Sequence, residues 1–437
     1  MSSVLLYKFN KKKLAISVFL MISFFSPLSN AKDDCQSLNY YNTRAQQVTS
    51  PSSICDTILQ DAGSFRSALA ENGWGFQASF SPNAIYDLKG HSYHPQQYSG
   101  QNFTWAESGS VILTYDLSRI GFSKDAQFTV IPQWQSSNYN DGTPRLHNIG
   151  ILAINQPFND RQYEVQYGFY PLIRMFYGMV LGGNSASAAL GPTSVIPVQL
   201  GLSYLAPTPA FSFIARDDSK KFYSHTSVSR SISPQGFGED VNQNPWGLKL
   251  RVKGANPIFV EELGYKQEST QDNNAWWIRV GGIYNKSHYQ SFVNSNETDD
   301  NFGWYFANTV QLTQSTQGTP KGLYLDTKTS GAKDDRNPYA NDFQMTMFDI
   351  GLFPGRDTDM ISLGYTRSWT SSKFRSFIGN ETQQKVPNVI NAVSLSYAYH
   401  VIPGIYLING LTWQDNPTLV PEHNDAMLWQ TSVNITF

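Results

Sequence analysis

From Trp74 to the C terminus the chain alternates apolar and polar residues in runs of about 8 to 12, divided by clusters of Gly, Pro, Asn and Asp. The closing run, DAMLWQTSVNITF, sets Met427, Trp429, Val433, Ile435 and Phe437 on one parity and Gln430, Ser432, Asn434 and Thr436 on the other. Successive side chains of a strand point to opposite faces, so each run has one greasy and one wet side. The clearest others are GWGFQASF, ESGSVILTYDL, YEVQYGF, VQLGLSY, WGLKLRV, WWIRVGGIY, FGWYFANTVQL, MISLGYTRSW and VSLSYAY. Weaker runs lie near Phe128, Ile151, Phe211, Tyr223, Phe259, Tyr324, Met347 and Leu407. The pattern predicts an all-β fold of about sixteen strands, with eighteen as the upper count.

Two stretches ahead of Trp74 break the alternation. Ile58, Leu59, Ala62, Phe65, Leu69 and Ala70 fall at helical spacing and stop at Gly73, which predicts one short amphipathic helix over Asp61 to Asn72. At the N terminus, Lys8, Lys11, Lys12 and Lys13 precede an apolar run from Leu14 to Phe25 and a small-x-small ending at Ser29, Asn30 and Ala31. That is the pattern of a secretory leader, too short to span a bilayer. The expected organisation is a signal peptide over 1–31, a periplasmic N-terminal segment over 32–73, and a barrel over 74–437.

Past Ala31 no stretch approaches the length of a transmembrane helix, which leaves the closed barrel as the one membrane solution. Alternation by itself would equally suit a soluble sheet with a solvated outer face. The apolar parity, however, is crowded with Trp, Tyr and Phe near strand ends, where a ring can sit half wet at a membrane interface. On the reading of WGLKLRV as a strand, Lys249, Arg251 and Lys253 share one face, and such cations need water, as an aqueous lumen provides. An outer-membrane barrel also accounts for an aromatic last residue at the interface.

Charge and cysteines narrow the picture further. Without the leader, Lys plus Arg falls from 32 to 28 against 34 Asp plus Glu, a balance of −6, and no basic cluster remains that would suit nucleic acid. Cys35 and Cys55 would emerge into an oxidising compartment and pair with each other, closing a loop of about 20 residues and stabilising by about 3 kcal/mol in the chain-entropy model. Two thiols without a nearby His do not make a metal site, and no cofactor is expected.

Specific stretches then match a family. GLFPGRDTDMISLGY, Gly351 to Tyr365, resembles the Gly-x-x-Pro-Gly-Arg-Asp-x-Asp turn of the carbohydrate-selective, OprB-type porins. In the same order, LQDAGSFRSALAENGWGF resembles that family's helix leading into the first strand, ANPIFVEELGYK its Glu-bearing mid-barrel strand, and IYLINGLTWQDNP its penultimate strand. The resemblance runs from about Thr57 to Phe437. It departs at Asp61-Ala62-Gly63-Ser64-Phe65, where the family usually carries Gly-Asp-Trp-Gly-Gly, and in lacking an evident Asp-Gln pair around Ala307 to Gln311. The resemblance implies a monomeric sixteen-strand barrel in a Gram-negative outer membrane that lets sugars diffuse down their gradient. Its last strand, ending in Phe437, would be presented to the barrel-assembly machinery, with outer-membrane lipid around the wall.

A sugar is polar at its edges and apolar on its faces, so a sugar-selecting pore wants opposed hydrogen-bonding groups and a ring to stack on. Lys249, Arg251, Glu262 and Arg279 sit on the wetter parity and are the expected constriction, with Trp277 on Arg279's parity as the stacking ring. Arg356, Asp357 and Asp359 are expected to tie down the turn at Gly355. No Gly-x-Ser-x-Gly, His-Glu-x-x-His or phosphate-binding run is present, and GNSASAAL around Ser185 and Ser187 suits a loop folded into or over a lumen better than a nucleophile, so no enzymatic activity is expected. The leading function is passive diffusion of mono- or oligosaccharides. The alternative is a polysaccharide export or docking barrel that meets periplasmic partners through Lys32 to Ser53.

Overall fold

The structure, a computed structural model, describes residues 34–45, 52–141, 144–177, 196–419 and 423–437. The leader assignment and the GNSASAAL loop fall outside the described residues. Sixteen antiparallel strands close into one barrel in sequence order. They are β1 Trp74–Asp87, β2 Thr104–Asp116, β3 Gln127–Ser137, β4 Leu146–Phe158, β5 Tyr163–Tyr170, β6 Thr208–Arg216, β7 Phe222–Arg230 and β8 Pro257–Gln267. The other half comprises β9 Trp276–Gln290, β10 Thr298–Gln311, β11 Gly322–Ala332, β12 Tyr339–Ile350, β13 Met360–Thr370, β14 Val389–Ile402, β15 Ile405–Asp415 and β16 Asp425–Thr436. Closure leaves no free sheet edge, because β16 pairs back onto β1 with Phe80 opposite Ile435 and Tyr86 opposite Trp429.

Every one of the weaker runs is a strand, and two of the clear ones are not. VQLGLSY lies in the β5–β6 connection, where α3 (Ile196–Gln199) is followed by a turn at Gly201 with φ +101°. WGLKLRV lies in the β7–β8 connection, which begins with α4 (Phe237–Gln243) and turns at Gly247 with φ +80°. Each alternates in sequence yet finds no neighbouring strand to pair with. Ahead of the barrel, α1 (Asp34–Leu38) and α2 (Phe65–Glu71) form a small N-terminal segment. α2 starts four residues later than the spacing predicts because Ala62, Gly63 and Ser64 all adopt left-handed φ. Asp61 then serves the helix from outside, accepting from Ser67 N and Ser67 Oγ at 2.8 Å each. A final helix, α5 (Ser372–Thr382), lies in the β13–β14 connection.

The four longest connections, 88–103, 171–207, 231–256 and 371–388, all lie at the end opposite to the chain termini. In such barrels the long loops face outward from the cell and the short turns face the periplasm. Outward-facing side chains form an apolar band, with Val280, Leu363, Leu395 and Leu411 among its exposed members. Rings border it, Phe222 against Tyr265 at 4.8 Å near the short turns and Phe259 against Tyr284 at 6.5 Å nearer the long loops. The inward parity is polar: His225, Ser227, Glu262, Arg279, Asn285, Asp326 and Lys328 all lie on it.

The Pro-Gly-Arg-Asp turn joins β12 to β13. Arg356 donates twice to Asp359, Nε to Oδ2 at 2.8 Å and Nη2 to Oδ1 at 2.7 Å, and Nη2 also reaches His400 O at 2.7 Å. Asp359 further accepts from His400 N at 2.9 Å and from the Tyr397 hydroxyl, so the turn is riveted to the end of β14. Burial pushes the Asp359 carboxyl up, but the Arg356, Tyr397 and His400 hydrogen bonds outweigh it and hold it below the ordinary carboxylate range. A carboxyl whose folded pKa lies below its unfolded one stabilises fully above the unfolded value, about 3.9 for Asp, and loses that contribution as pH falls through the folded value. Asp359→Asn is therefore expected to destabilise the barrel at neutral pH and to flatten the loss of thermal stability below about pH 4, read from melting curves across pH.

Candidate pore constriction

The inner wall of β7 to β10 gathers a connected polar cluster. Its centre is Glu262 on β8, whose Oε1 accepts from the Tyr223 hydroxyl at 2.7 Å and whose Oε2 accepts from the Tyr305 hydroxyl at 2.6 Å. Two glycines permit this convergence. Gly281 sits opposite Tyr305 and Gly264 opposite Tyr223, and a Cβ at either would overlap the facing ring. Each tyrosine therefore lies flat across its neighbour strand and points its hydroxyl at the same carboxylate. Trp277 Nε1 donates to the Tyr223 hydroxyl at 2.8 Å, and the Arg279 guanidinium lies 4.1 Å from the Trp277 ring centroid. Glu262, Arg279 and Trp277 thus share one network, as their common parity predicts.

The β5–β6 connection closes over that wall. Arg279 Nη1 donates to Phe176 O, the Phe176 ring stacks on His225 at 4.1 Å, and Tyr177 meets Tyr305 edge-on at 5.2 Å. Further along the same connection, Asn285 Nδ2 donates to Leu200 O at 2.8 Å, and Gln199 Nε2 donates to Tyr339 O at 2.5 Å. Tyr339 opens β12, seven strands round from β5, so this connection crosses the lumen instead of standing on the rim. Its apolar residues Leu172, Phe176, Ile196, Leu200 and Leu202 pack with inward Ile258, Val260 and Ile283 as the main apolar cluster. A barrel whose largest apolar cluster lies inside its own bore has a narrowed channel.

Charge along this wall nearly cancels. Beside Glu262 and Arg279, Lys328 Nζ lies 3.0 Å from Asp326 on the same strand, and Asp342 on β12 accepts from Ser330 Oγ at 2.5 Å. Hydrogen-bonding capacity is left over. Arg279 Nε and Nη2, Lys328 Nζ, Asp342 Oδ2 and both His225 ring nitrogens make no hydrogen bond to the described residues.

Lys249 and Arg251 do not belong to this wall. Both are exposed in the β7–β8 connection, where Lys249 N is held by Asn244 Oδ1 at 2.9 Å and Ile149 N donates to Trp246 O at 3.2 Å. Arg251 lines a surface groove with Pro209, Phe211 and Val228, the last two on the barrel's outer face. The expected row of lumen cations thus becomes a loop draped on the outer rim, because Gly247 turns the chain where a strand would extend it. The residues missed in sequence are Tyr223, His225, Tyr305, Asp326, Lys328 and Asp342. Asp326, Lys328 and Ser330 alternate within GLYLDTKTSGA as plainly as Lys249 and Arg251 do within WGLKLRV, and that spacing was the available signal.

Residues 235–437 match the family model described as carbohydrate-selective porin, OprB family. Over that stretch, from the β7–β8 connection to the last strand, the chain is similar to the OprB family. No curated protein matches the sequence. Among solved structures, the high-pH structure of Pseudomonas putida OprB superposes with a TM-score of 0.71 at 16% identity, covering 86% of this chain and 97% of that one. The low-pH structure of the same protein gives 0.55 at 15% identity, covering 87% and 98%. An anion-selective porin from Comamonas acidovorans gives 0.50 at 11% identity, covering 83% and 99%. At these identities the likeness establishes the fold. The chain is an outer-membrane porin of Gram-negative type.

One feature of the porin's outer face runs against its surroundings. Glu261 points away from the lumen, on the parity of Phe259 and Leu263, and accepts from Ser224 Oγ at 2.6 Å and from the Thr226 hydroxyl. A carboxylate among acyl chains is unfavourable, though less so than Lys or Arg. Glu261→Leu is expected to stabilise the porin by about 1 kcal/mol in denaturant titrations in lipid vesicles.

Proposed function

We propose that this porin passes mono- or oligosaccharides by passive diffusion through the constriction formed by Glu262, Arg279 and Trp277 together with Tyr305 and Lys328. One observation carries the reading. The narrowed wall combines donors and acceptors that make no hydrogen bond to the described residues with a nearly balanced charge and an indole at its centre. A neutral polyol can exchange its hydration for such groups, whereas a small ion gains little from a wall whose charges already compensate one another.

The rest of the reading follows the family. Residues 1–31 are a cleaved leader, 32–73 sit at the periplasmic mouth, 74–437 form the barrel, one chain makes one pore, and the strand ending at Phe437 is what the assembly machinery receives. Planar-bilayer conductance with added sugars tests the reading. Transient, concentration-dependent occlusion by maltose or glucose supports it, and a conducting pore indifferent to both sugars overturns it.

A further inference from the structure

The N-terminal segment does more than lead into β1, because it is packed into the periplasmic mouth of the barrel. Three inward-facing polar residues of consecutive strands, Gln77, Thr114 and Gln127, are buried, and the groups that bury them are main-chain atoms of this segment. Gln77 Nε2 donates to Ser52 O at 2.9 Å, Gln127 Nε2 donates to Asn42 O at 2.8 Å, Arg44 N donates to Gln127 Oε1 at 2.9 Å, and the Thr114 hydroxyl donates to Tyr41 O. Gly75 lies where a Cβ would overlap Tyr41 O, so the segment's backbone rests directly on the wall. On the other side of β1, at the ends of the neighbouring β16 and β15, Asp56 accepts from Gly404 N at 3.0 Å and from the Tyr406 hydroxyl at 2.8 Å, and Ile58 N donates to Thr436 O at 2.9 Å. The Cys35–Cys55 disulfide, buried with Leu38, Ile54 and Ala70, joins the start of the segment to this anchored stretch.

Within the segment one side chain is held but unspent. Arg44 lies 3.7 Å over the Tyr40 ring, donates from Nε to Tyr40 O at 2.8 Å, and has carboxylate oxygens of Asp116 and Asp125 at 3.9 and 3.8 Å. Its side chain is only 10% exposed, yet Nη1 and Nη2 make no hydrogen bond to the described residues. A guanidinium fixed by a ring and a carbonyl also occurs at Arg279, with the Trp277 ring and Phe176 O in those places; Arg44 differs in having two carboxylates beside it.

We propose that the disulfide-closed segment, residues 35–45 and 52–55, is a second filter at the periplasmic mouth, in series with the mid-barrel constriction, and that Arg44 is the group with which it engages sugar hydroxyls. This extends the sugar-porin reading and rests on it. Solute entering from the periplasmic side meets Arg44 first, and solute entering from outside meets Arg279 first. Sugar binding should therefore differ between the two sides.

The test uses the full-length mature porin, inserted with known orientation in a planar bilayer and probed with maltose and maltotriose from each side. Cys35→Ser/Cys55→Ser, checked for a folded barrel by its heat-modifiable electrophoretic mobility, is expected to conduct more than the wild type. Wild-type protein folded under reducing conditions should match it, which separates release of the segment from any other effect of the substitutions. Arg44→Ala is expected to raise the sugar concentration for half-block from the periplasmic side about tenfold while leaving block from outside little changed. Unchanged conductance in both disulfide-free proteins overturns the filter. Equal weakening from both sides, or none, in Arg44→Ala overturns the role of Arg44. If the oxidised wild type conducts but no sugar blocks it from either side, the fault lies with the sugar reading itself.

Discussion

Replacing Arg279 by alanine is expected to raise the sugar concentration needed for half-block about tenfold or more and to shift the open pore toward cations. In the proposed constriction the guanidinium has two parts to play. Nη1 pins Phe176 O, which holds the crossing loop against the wall, while Nε and Nη2 make no hydrogen bond to the described residues. Truncation removes these two donors and loosens the loop that narrows the bore. A hydrogen bond to a charged group is worth about 1.5–3 kcal/mol, and 1.4 kcal/mol is a factor of ten in affinity. With the cation gone, Glu262 is left less compensated, so the zero-current potential in a salt gradient should move toward cation preference. Arg279→Lys keeps the charge without the planar fork and should preserve ion preference while recovering little of the sugar block. An unchanged half-block concentration in Arg279→Ala would remove this residue from the solute path.

Replacing Glu262 by alanine is expected to cost about 3 kcal/mol or more of barrel stability, read by denaturant unfolding in vesicles followed by tryptophan emission. The carboxylate is completely buried and is the shared acceptor of two tyrosine hydroxyls, one of which also receives the Trp277 indole N–H. Its removal leaves both hydroxyls without an acceptor and Arg279 without the negative charge that acts on it. Deleting one partner of a buried charged cluster strands the other, which is the expensive kind of loss. Glu262→Gln keeps the size and one acceptor oxygen, so its loss should be smaller. Because Tyr305 also contacts Tyr177, the alanine variant should conduct more noisily as well, through a less restrained crossing loop.

The strands were legible to an unusual degree because alternation of period two is a local property. All sixteen appear as alternating runs, including weak ones such as those around Tyr223 and Phe259, and the parity of Glu262, Arg279 and Trp277 is the parity that faces the lumen. VQLGLSY and WGLKLRV show the limit of that signal. Both alternate, but a strand needs a paired neighbour, and at Gly201 and Gly247 the backbone turns through positive φ before one can form. Lys249 and Arg251 were misplaced for this reason alone. The short helix shifted for a comparable cause, since its spacing was right but three left-handed residues delay its start.

The sequence by itself determined a closed barrel with an apolar exterior and a polar bore, and which face of each true strand turns inward, because those properties repeat every second residue and each run states them independently. Only the tertiary structure decided what fills the bore. The contact of Phe176 with Arg279 spans 103 positions and that of Gln199 with Tyr339 spans 140, and the N-terminal segment reaches Gln127 across more than eighty. Such pairings depend on curvature that brings distant staves face to face, and no local periodicity carries that information.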